Sequence, residues 1–162
     1  MSWMIHRIDD RLIHGQVVIA WGERLRPRRI LIADDAAASN PWERDLLGSA
    51  APGIQVEVVS LAEAATRYAD EAARDGGAFL LVRDLGAARR LVELGANVPS
   101  FTLGGLHYAS GKEKVNEYVY LDATDRRWAR ELLDRGVKLE VQDVPATKAQ
   151  ALADLDVSVR AV

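Results

Sequence analysis

Five consecutive apolar residues, Ala78-Phe79-Leu80-Leu81-Val82, lie between Gly76-Gly77 and Asp84, and they constrain this chain more than any other feature. Successive strand residues point to opposite faces, so a strand apolar at every position must be covered on both sides. Central strands of a parallel sheet are covered in this way. Arg29–Ala33 reads as a second strand, and further strands are expected at Trp3–Ile8, Ile54–Val59, Val98–Leu103, Tyr118–Leu121 and Val137–Val141. Between them the apolar period lengthens to that of helices. Val17, Trp21 and Leu25 recur every four residues along one face. Asn40-Pro41-Trp42-Glu43 is a helix start, with an asparagine cap, proline at the first helical position and glutamate three after the cap. Ser60 with Glu63 opens a helix carrying Leu61, Ala65, Tyr68 and Ala72. Asp84 caps one carrying Leu85, Ala88, Leu91 and Val92, which Gly95 stops. A helix around Trp128, Leu132 and Leu133 ends at Gly136. A short helix near Lys148–Leu155 and a last strand at Val157–Arg160 complete the pattern.

Strands alternating with ten-residue helices imply right-handed crossovers. The expected fold is a single α/β domain over residues 1–162: an open, mostly parallel twisted sheet of about seven strands with helices on both faces. The length, 162 residues, suits one domain, and 49% hydrophobic with 28% charged residues excludes disorder as a class. There is no cysteine, hence no disulfide framework and no thiolate chemistry. Twenty-one basic and twenty-four acidic residues give a net charge of −3, which argues against a general hold on nucleic acid or anionic lipid. The start, MSWMIHRIDD, lacks an apolar signal core, and the longest uncharged run, Gly95 to Gly111, contains Pro99, Asn97 and several glycines. It is not a membrane span, which needs about 20 mostly apolar residues. A cytoplasmic protein is expected.

Sheets of this kind place their sites beyond the carboxyl ends of the strands, which directs attention to loops 9–15, 33–40, 83–86 and 103–112. The first reads Arg7-Ile-Asp9-Asp10-Arg11-Leu-Ile-His14-Gly15-Gln16. His14 stands at a helix start, where unpaired amides favour an anion. Gly15 leaves space beside the ring, and Arg11 offers a planar fork suited to phosphate oxygens. A largely neutral imidazole has a free lone pair, and a transferring phosphoryl group needs in-line positioning with donors aimed at its oxygens. Arg11 and the amides around Gly15, Gln16 and Val17 are the candidate donors. Asp9 either holds Arg11 or fixes the ring tautomer. On these residues alone, a histidine that merely caps the helix or sits on the surface is the competing reading.

IDDRLIHGQV followed by Trp21 resembles the signature of the IIB components of the mannose/fructose/sorbose class of the bacterial sugar phosphotransferase system. Ile30–Asp35, Thr102–His107 with Gly111-Lys112 after it, and Gly136–Pro145 resemble further segments of that family, so the likeness spans nearly the whole chain. The resemblance implies that His14 is phosphorylated, at Nδ1, that Arg11 stabilises the phosphoryl group, and that Asp9 is the motif aspartate. It also implies a relay. A phosphorylated IIA protein hands the group to His14, which passes it to a sugar presented by membrane components IIC and IID. The protein would associate peripherally with the inner face of the membrane without spanning it. Neither a cofactor nor a metal is expected.

Other residues carry weaker expectations. Gly104 and Gly105 either let backbone amides approach the phosphoryl group or form a turn needing positive φ. Asp35, with Asp34, shapes the site rim or caps the next helix. His107 is a second acid/base or docking group, or a solvated loop histidine, and His6 is a structural side chain. Lys112, Lys114 and the run Arg24-Leu-Arg26-Pro-Arg28-Arg29 either steer an anionic partner or are simply solvated. Trp3, Trp42 and Trp128 fall at core-periodic positions, and Trp21 packs the first helix onto the sheet. Three rival classes compete with this reading. A histidine phosphatase or mutase usually has arginine immediately before its histidine, where this chain has Ile13. A signalling receiver needs an aspartate where strand three ends in Val58-Val59-Ser60. A IIB-like regulator that never meets sugar would share the same acceptance chemistry.

Overall fold

In the computed structural model, which describes residues 2–160, the apolar run Ala78–Val82 (β4) lies inside a seven-stranded sheet with every side chain buried. The other strands are β1 (Trp3–Asp9), β2 (Arg29–Ala33), β3 (Gln55–Val59), β5 (Ser100–Gly105), β6 (Glu113–Asn116), β7 (Val119–Leu121), β8 (Lys138–Val141) and β9 (Gln150–Ala151). The sheet order is β3-β2-β4-β1-β5-β8-β9, parallel throughout except for the antiparallel pair β8–β9. This is the expected α/β architecture.

Alternation along the strands sorts two cores. Phe79, Leu81, Ile30 and Ile32 face one layer, formed by a π-helix (Gln16–Trp21) running into α1 (Gly22–Leu25), α2 (Asp35–Ser39) and α3 (Pro41–Gly48). Leu80, Val82, Leu31 and Ile8 face the other, formed by α4 (Leu61–Ala73), α5 (Leu85–Glu93) and α6 (Ala123–Asp134). Each of these fully buried side chains stabilises the fold by about 1.5–3 kcal/mol relative to exposure. Side-chain caps begin the helices where expected: Asn40 accepts from the Glu43 amide, Ser60 from Glu63 and Asp84 from Ala87. Each contributes about 1 kcal/mol.

Four expectations are corrected. Tyr118–Leu121 does not join the main sheet; β7 pairs antiparallel with β6 and touches β5 through the Leu106–Val119 bridge. Its partner, Glu113–Asn116, is largely polar and gives no strand signal. The seventh strand is instead β9, inside the segment expected as one helix, of which α7 (Leu152–Leu155) remains. Val157–Val159 is a 3₁₀ turn, not a strand, because the Asp156 carboxylate accepts from the Ser158 amide and turns the chain. Finally, Trp42 is solvent-exposed. The inward contact of α3 is made by Leu47, five positions on and roughly 140° around the helix. Trp3 and Trp128 do pack against the core.

The strand order reverses between β1 and β5. The chain leaves β1 toward β2 through the π-helix layer, and leaves β5 toward β8 through β6, β7 and α6 on the other side. Their carboxyl ends therefore flank the crevice where sheets of this type place ligands. Part of the basic run falls at the other end: Arg26 and Arg28 precede the amino end of β2, and the Arg28 side chain packs over Gly76. These two form no rim around the crevice, whereas Arg24 lies against Val144–Ala146 of the loop after β8. No helix among the described residues is long and apolar enough to cross a membrane.

Candidate functional site

β1 ends in Asp9, which is completely buried and faces the π-helix layer. Leu12 and Ile13 drop into the core beside it and pin the loop, so that Arg11 and His14 on either side stay near the surface. The chain turns sharply, with Leu12 at φ 58° and its amide bonded to the Asp9 carbonyl at 2.9 Å. A left-handed conformation costs a non-glycine residue about 1–2 kcal/mol, which the burial of Leu12 offsets.

Asp9 is the hub. Its Oδ1 accepts from the Arg11 amide and from Arg11 Nε, both at 3.1 Å. Its Oδ2 accepts from Arg7 Nη2 and Arg11 Nη2, both at 3.2 Å, and pairs with His14 Nε2 at 2.9 Å. Burial by itself pushes this carboxyl up, but the hydrogen bonds from His14 and Arg11 and the charge of Arg7 outweigh it and hold the group far below the ordinary carboxylate range. An ionised carboxylate only accepts, so it fixes the proton on Nε2 and leaves the lone pair on Nδ1. That nitrogen receives the Gln16 amide at 3.3 Å. The ring is 14% exposed, and the flank at Gly15 is open, since a Cβ built there meets nothing within 4 Å. Arg11 is 37% exposed and also donates to Gln16 Oε1 at 3.2 Å.

Sequence reading left out Arg7. It is 1% exposed, with Nη1 donating to the Gln142 carbonyl at 3.2 Å and its guanidinium 5.9 Å from the Trp21 ring centroid. Trp21 in turn donates to the Asp143 carbonyl at 2.8 Å, closing the loop after β8 against the first helix. The glycine pair explains itself here. A Cβ on Gly104 would overlap the Arg7 guanidinium, and one on Gly105 would sit 3.0 Å from Arg11 Nη2 and 3.3 Å from the Asp9 oxygens. Neither glycine has positive φ. The pair clears room for two guanidiniums, a role outside both expectations. The period-two rule on β1, which sets Arg7 and Asp9 on one face, is the signal that points to Arg7.

Other candidates lie elsewhere. Asp34 caps α2 through the Ala37 amide and takes Arg83 as a partner, while Asp35 accepts from the Leu61 amide at 2.8 Å. Both sit at the end of β2, which β4 separates from β1, so Asp35 is not brought to His14. His107 is anchored twice to Asp10, through its amide at 2.7 Å and Nδ1 at 2.6 Å, rather than being freely solvated. His6 is part-buried against Trp3, Phe101 and Tyr68, whose hydroxyl it meets at 2.8 Å. Lys112 is paired with Asp125, and Lys114 with Glu117. Among the described residues no cluster of acidic or histidine side chains has the makings of a metal site.

A buried carboxylate orienting a semi-exposed histidine beside an arginine, at a sheet's switch point, is also where known proteins can be compared. Residues 3–161 match the family described as "PTS system sorbose subfamily IIB component". The chain belongs to that family. The sorbose-specific EIIB component of Klebsiella pneumoniae is 34% identical over 155 residues, covering 95% of this chain and 94% of that one. The N-acetylgalactosamine-specific enzyme IIB component 1 of Escherichia coli (strain K12) is 29% identical over 153 residues, covering 93% and 96%. The crystal structure of the IIBSor domain of the Klebsiella pneumoniae sorbose permease superimposes with a TM-score of 0.85 at 34% identity, covering 96% of each chain. This IIB component is accordingly a phosphoryl-transfer protein of a sugar phosphotransferase system, a phosphotransferase acting alongside IIA and membrane components.

Proposed function

We propose that His14 accepts a phosphoryl group from phosphorylated IIA on Nδ1 and passes it to a sugar held by the membrane components IIC and IID. The observation that carries this reading is the Asp9–His14 bond, which leaves the lone pair on the nitrogen away from the carboxylate. In the first step Nδ1 attacks phosphorus, a new P–N bond forms, and the donor's P–N bond breaks with its electron pair returning to the donor. In the second, a sugar hydroxyl oxygen attacks, the P–N bond to His14 breaks, and the hydroxyl proton is lost to water. Catalysis of such transfers rests on alignment and on donors for the equatorial oxygens. Arg11 and the backbone amides at Gly15 and Gln16 are the donors in this scheme, the Gln16 amide passing from Nδ1 to a phosphoryl oxygen as the P–N bond forms, and Asp9 positions both Arg11 and His14. Protein donors neutralise the charge, so no metal or cofactor enters the scheme. The relatives named for sorbose and N-acetylgalactosamine support a sugar as final acceptor. The protein works at the cytoplasmic face, held to the membrane only through its partners.

Incubation with phosphorylated IIA is expected to add one acid-labile phosphoryl group, which maps to His14 and disappears in His14→Ala. Labelling retained in that variant refutes the assignment.

A further inference from the structure

A buried arginine in the middle of a strand needs an explanation. Taking a guanidinium out of water costs several kcal/mol, and a well-packed apolar residue in place of a buried ion pair is often neutral or stabilising. Arg7 is only partly repaid: Nη2 and Nη1 are bonded, but Nε has no partner among the described residues. The strand next to it gives up a side chain altogether at Gly104 to make room. Trp21 of the π-helix, Gln142 of the loop after β8 and Gly104 of β5 all close on this one side chain.

We propose that Arg7 is a positioning residue for phosphoryl transfer: from beneath Gly104 it fixes the orientation of Asp9 for His14, and its charge offsets the carboxylate that lies under the incoming dianion. The inference rests on His14 being the acceptor. Asp9, Arg7 and Arg11 together carry one net positive charge beside the ring; without Arg7 that sum falls to zero, with a carboxylate oxygen 2.9 Å from the imidazole. Salt screens the half-exposed Arg11, whereas Arg7 is buried and largely escapes screening. The further charged and titratable groups around the pair are Asp143 and Tyr118, which act on Arg7 from the loops packed against it, and the Asp10–His107 pair at the rim. Burial draws the Arg7 pKa down and Asp9 opposes it; a guanidinium remains protonated throughout the working range.

Removing Arg7 leaves Asp9 balanced by Arg11 alone, which favours the imidazolium, and an imidazolium has no lone pair at Nδ1. The acid limb of the acceptance profile must then move to higher pH, a change that loss of packing alone does not produce. The test uses Arg7→Met, Arg7→Lys and Gly104→Ala in the full chain. Transfer from phosphorylated IIA is followed between about pH 5 and 8, and the ¹⁵N shifts of the His14 ring are read without phosphate. Arg7→Met is expected to shift the acid limb up by about one pH unit, to slow transfer on that limb about tenfold, and to lose the dominant Nε2–H tautomer. Arg7→Lys, which keeps the charge but not the fork, is expected to restore the pH profile more than the tautomer. Gly104→Ala keeps the charge and displaces the guanidinium, so the tautomer is expected to shift with the profile little changed. A folded Arg7→Met with wild-type profile and ring shifts overturns the proposal, and so does failure of all three variants to fold, which would make Arg7 a residue of the fold. If the wild-type protein takes no phosphoryl group on His14, the acceptor assignment fails, and the ring shifts still report whether Arg7 governs the Asp9–His14 pair.

Discussion

Replacing Asp9 by asparagine removes one charge and almost no volume from the centre of the site. Five donors converge on the carboxylate, two on Oδ1 and three on Oδ2. An amide has one oxygen to offer. Placed toward Arg11, its NH₂ faces Arg7, Arg11 Nη2 and His14; reversed, the NH₂ faces the Arg11 amide and Nε. Either way at least two donors lose an acceptor, and Arg7 becomes a buried charge without a counter-ion. Breaking a buried pair from one side costs about 3–5 kcal/mol, and in a domain of this size each kcal/mol is worth about 2–4 °C in Tm. Asp9→Asn is therefore expected to melt about 6–20 °C below the wild type, as read by circular dichroism. It also releases the ring from the Nε2–H tautomer, so transfer from phosphorylated IIA should fall by about 10²–10⁴, the scale seen when a histidine's orienting carboxylate becomes an amide. The sign with pH is fixed as well. A carboxyl whose folded pKa is depressed stabilises the fold above its unfolded pKa, about 3.9, and loses that contribution as pH falls toward the folded value. The gap in Tm is thus expected to close in acid. A variant that melts within about 2 °C of the wild type at neutral pH and transfers at an unchanged rate would show that Asp9 organises nothing.

Burial holds the His6 imidazole neutral and lowers its pKa to about 4. The unfolded chain binds this proton near pH 6.5 and the folded one does not, so stability is expected to fall as pH drops through that window, by about 2 kcal/mol between about pH 7 and 5. Denaturant unfolding of the wild type against His6→Gln reads it, and identical slopes would refute it. The basic residues Arg26 and Arg28 lie at the amino ends of the strands, opposite His14. Arg26→Glu with Arg28→Glu is expected to leave transfer from IIA within about twofold of wild type even at low salt, where steering is strongest. A steep loss would place a partner contact at that end.

The layers of the fold are legible because their signals are local. An apolar run of five, caps at Asn40, Ser60 and Asp84, and a stop at Gly95 need no tertiary information, and each element appears where its residues demand. The failures share the opposite property. Glu113–Asn116 becomes a strand only because Leu106 and Val119 bring β7 against β5, and Gln150–Ala151 only because β8 offers an unpaired edge. Trp42 sits at a helical period with Leu46, but the period does not say whether that pair or Leu47 turns inward.

The site divides along the same line. Asp9, Arg11 and His14 are close in sequence, and a single loop is enough to bring them together. Arg7 and Gly104 are nearly a hundred residues apart, and neither is informative alone: an arginine in a strand reads as a surface residue, and a glycine reads as a turn. They acquire meaning together, because β1 and β5 are neighbours whose side chains on one face must share a fixed spacing of about 5 Å, and an arginine can lie flat across that gap only where its neighbour has no Cβ. A charged residue two positions before a motif aspartate, with a glycine two places beyond its register partner (here Thr102) on the adjoining strand, is thus a pattern that can be sought in a sequence once the strand order is known.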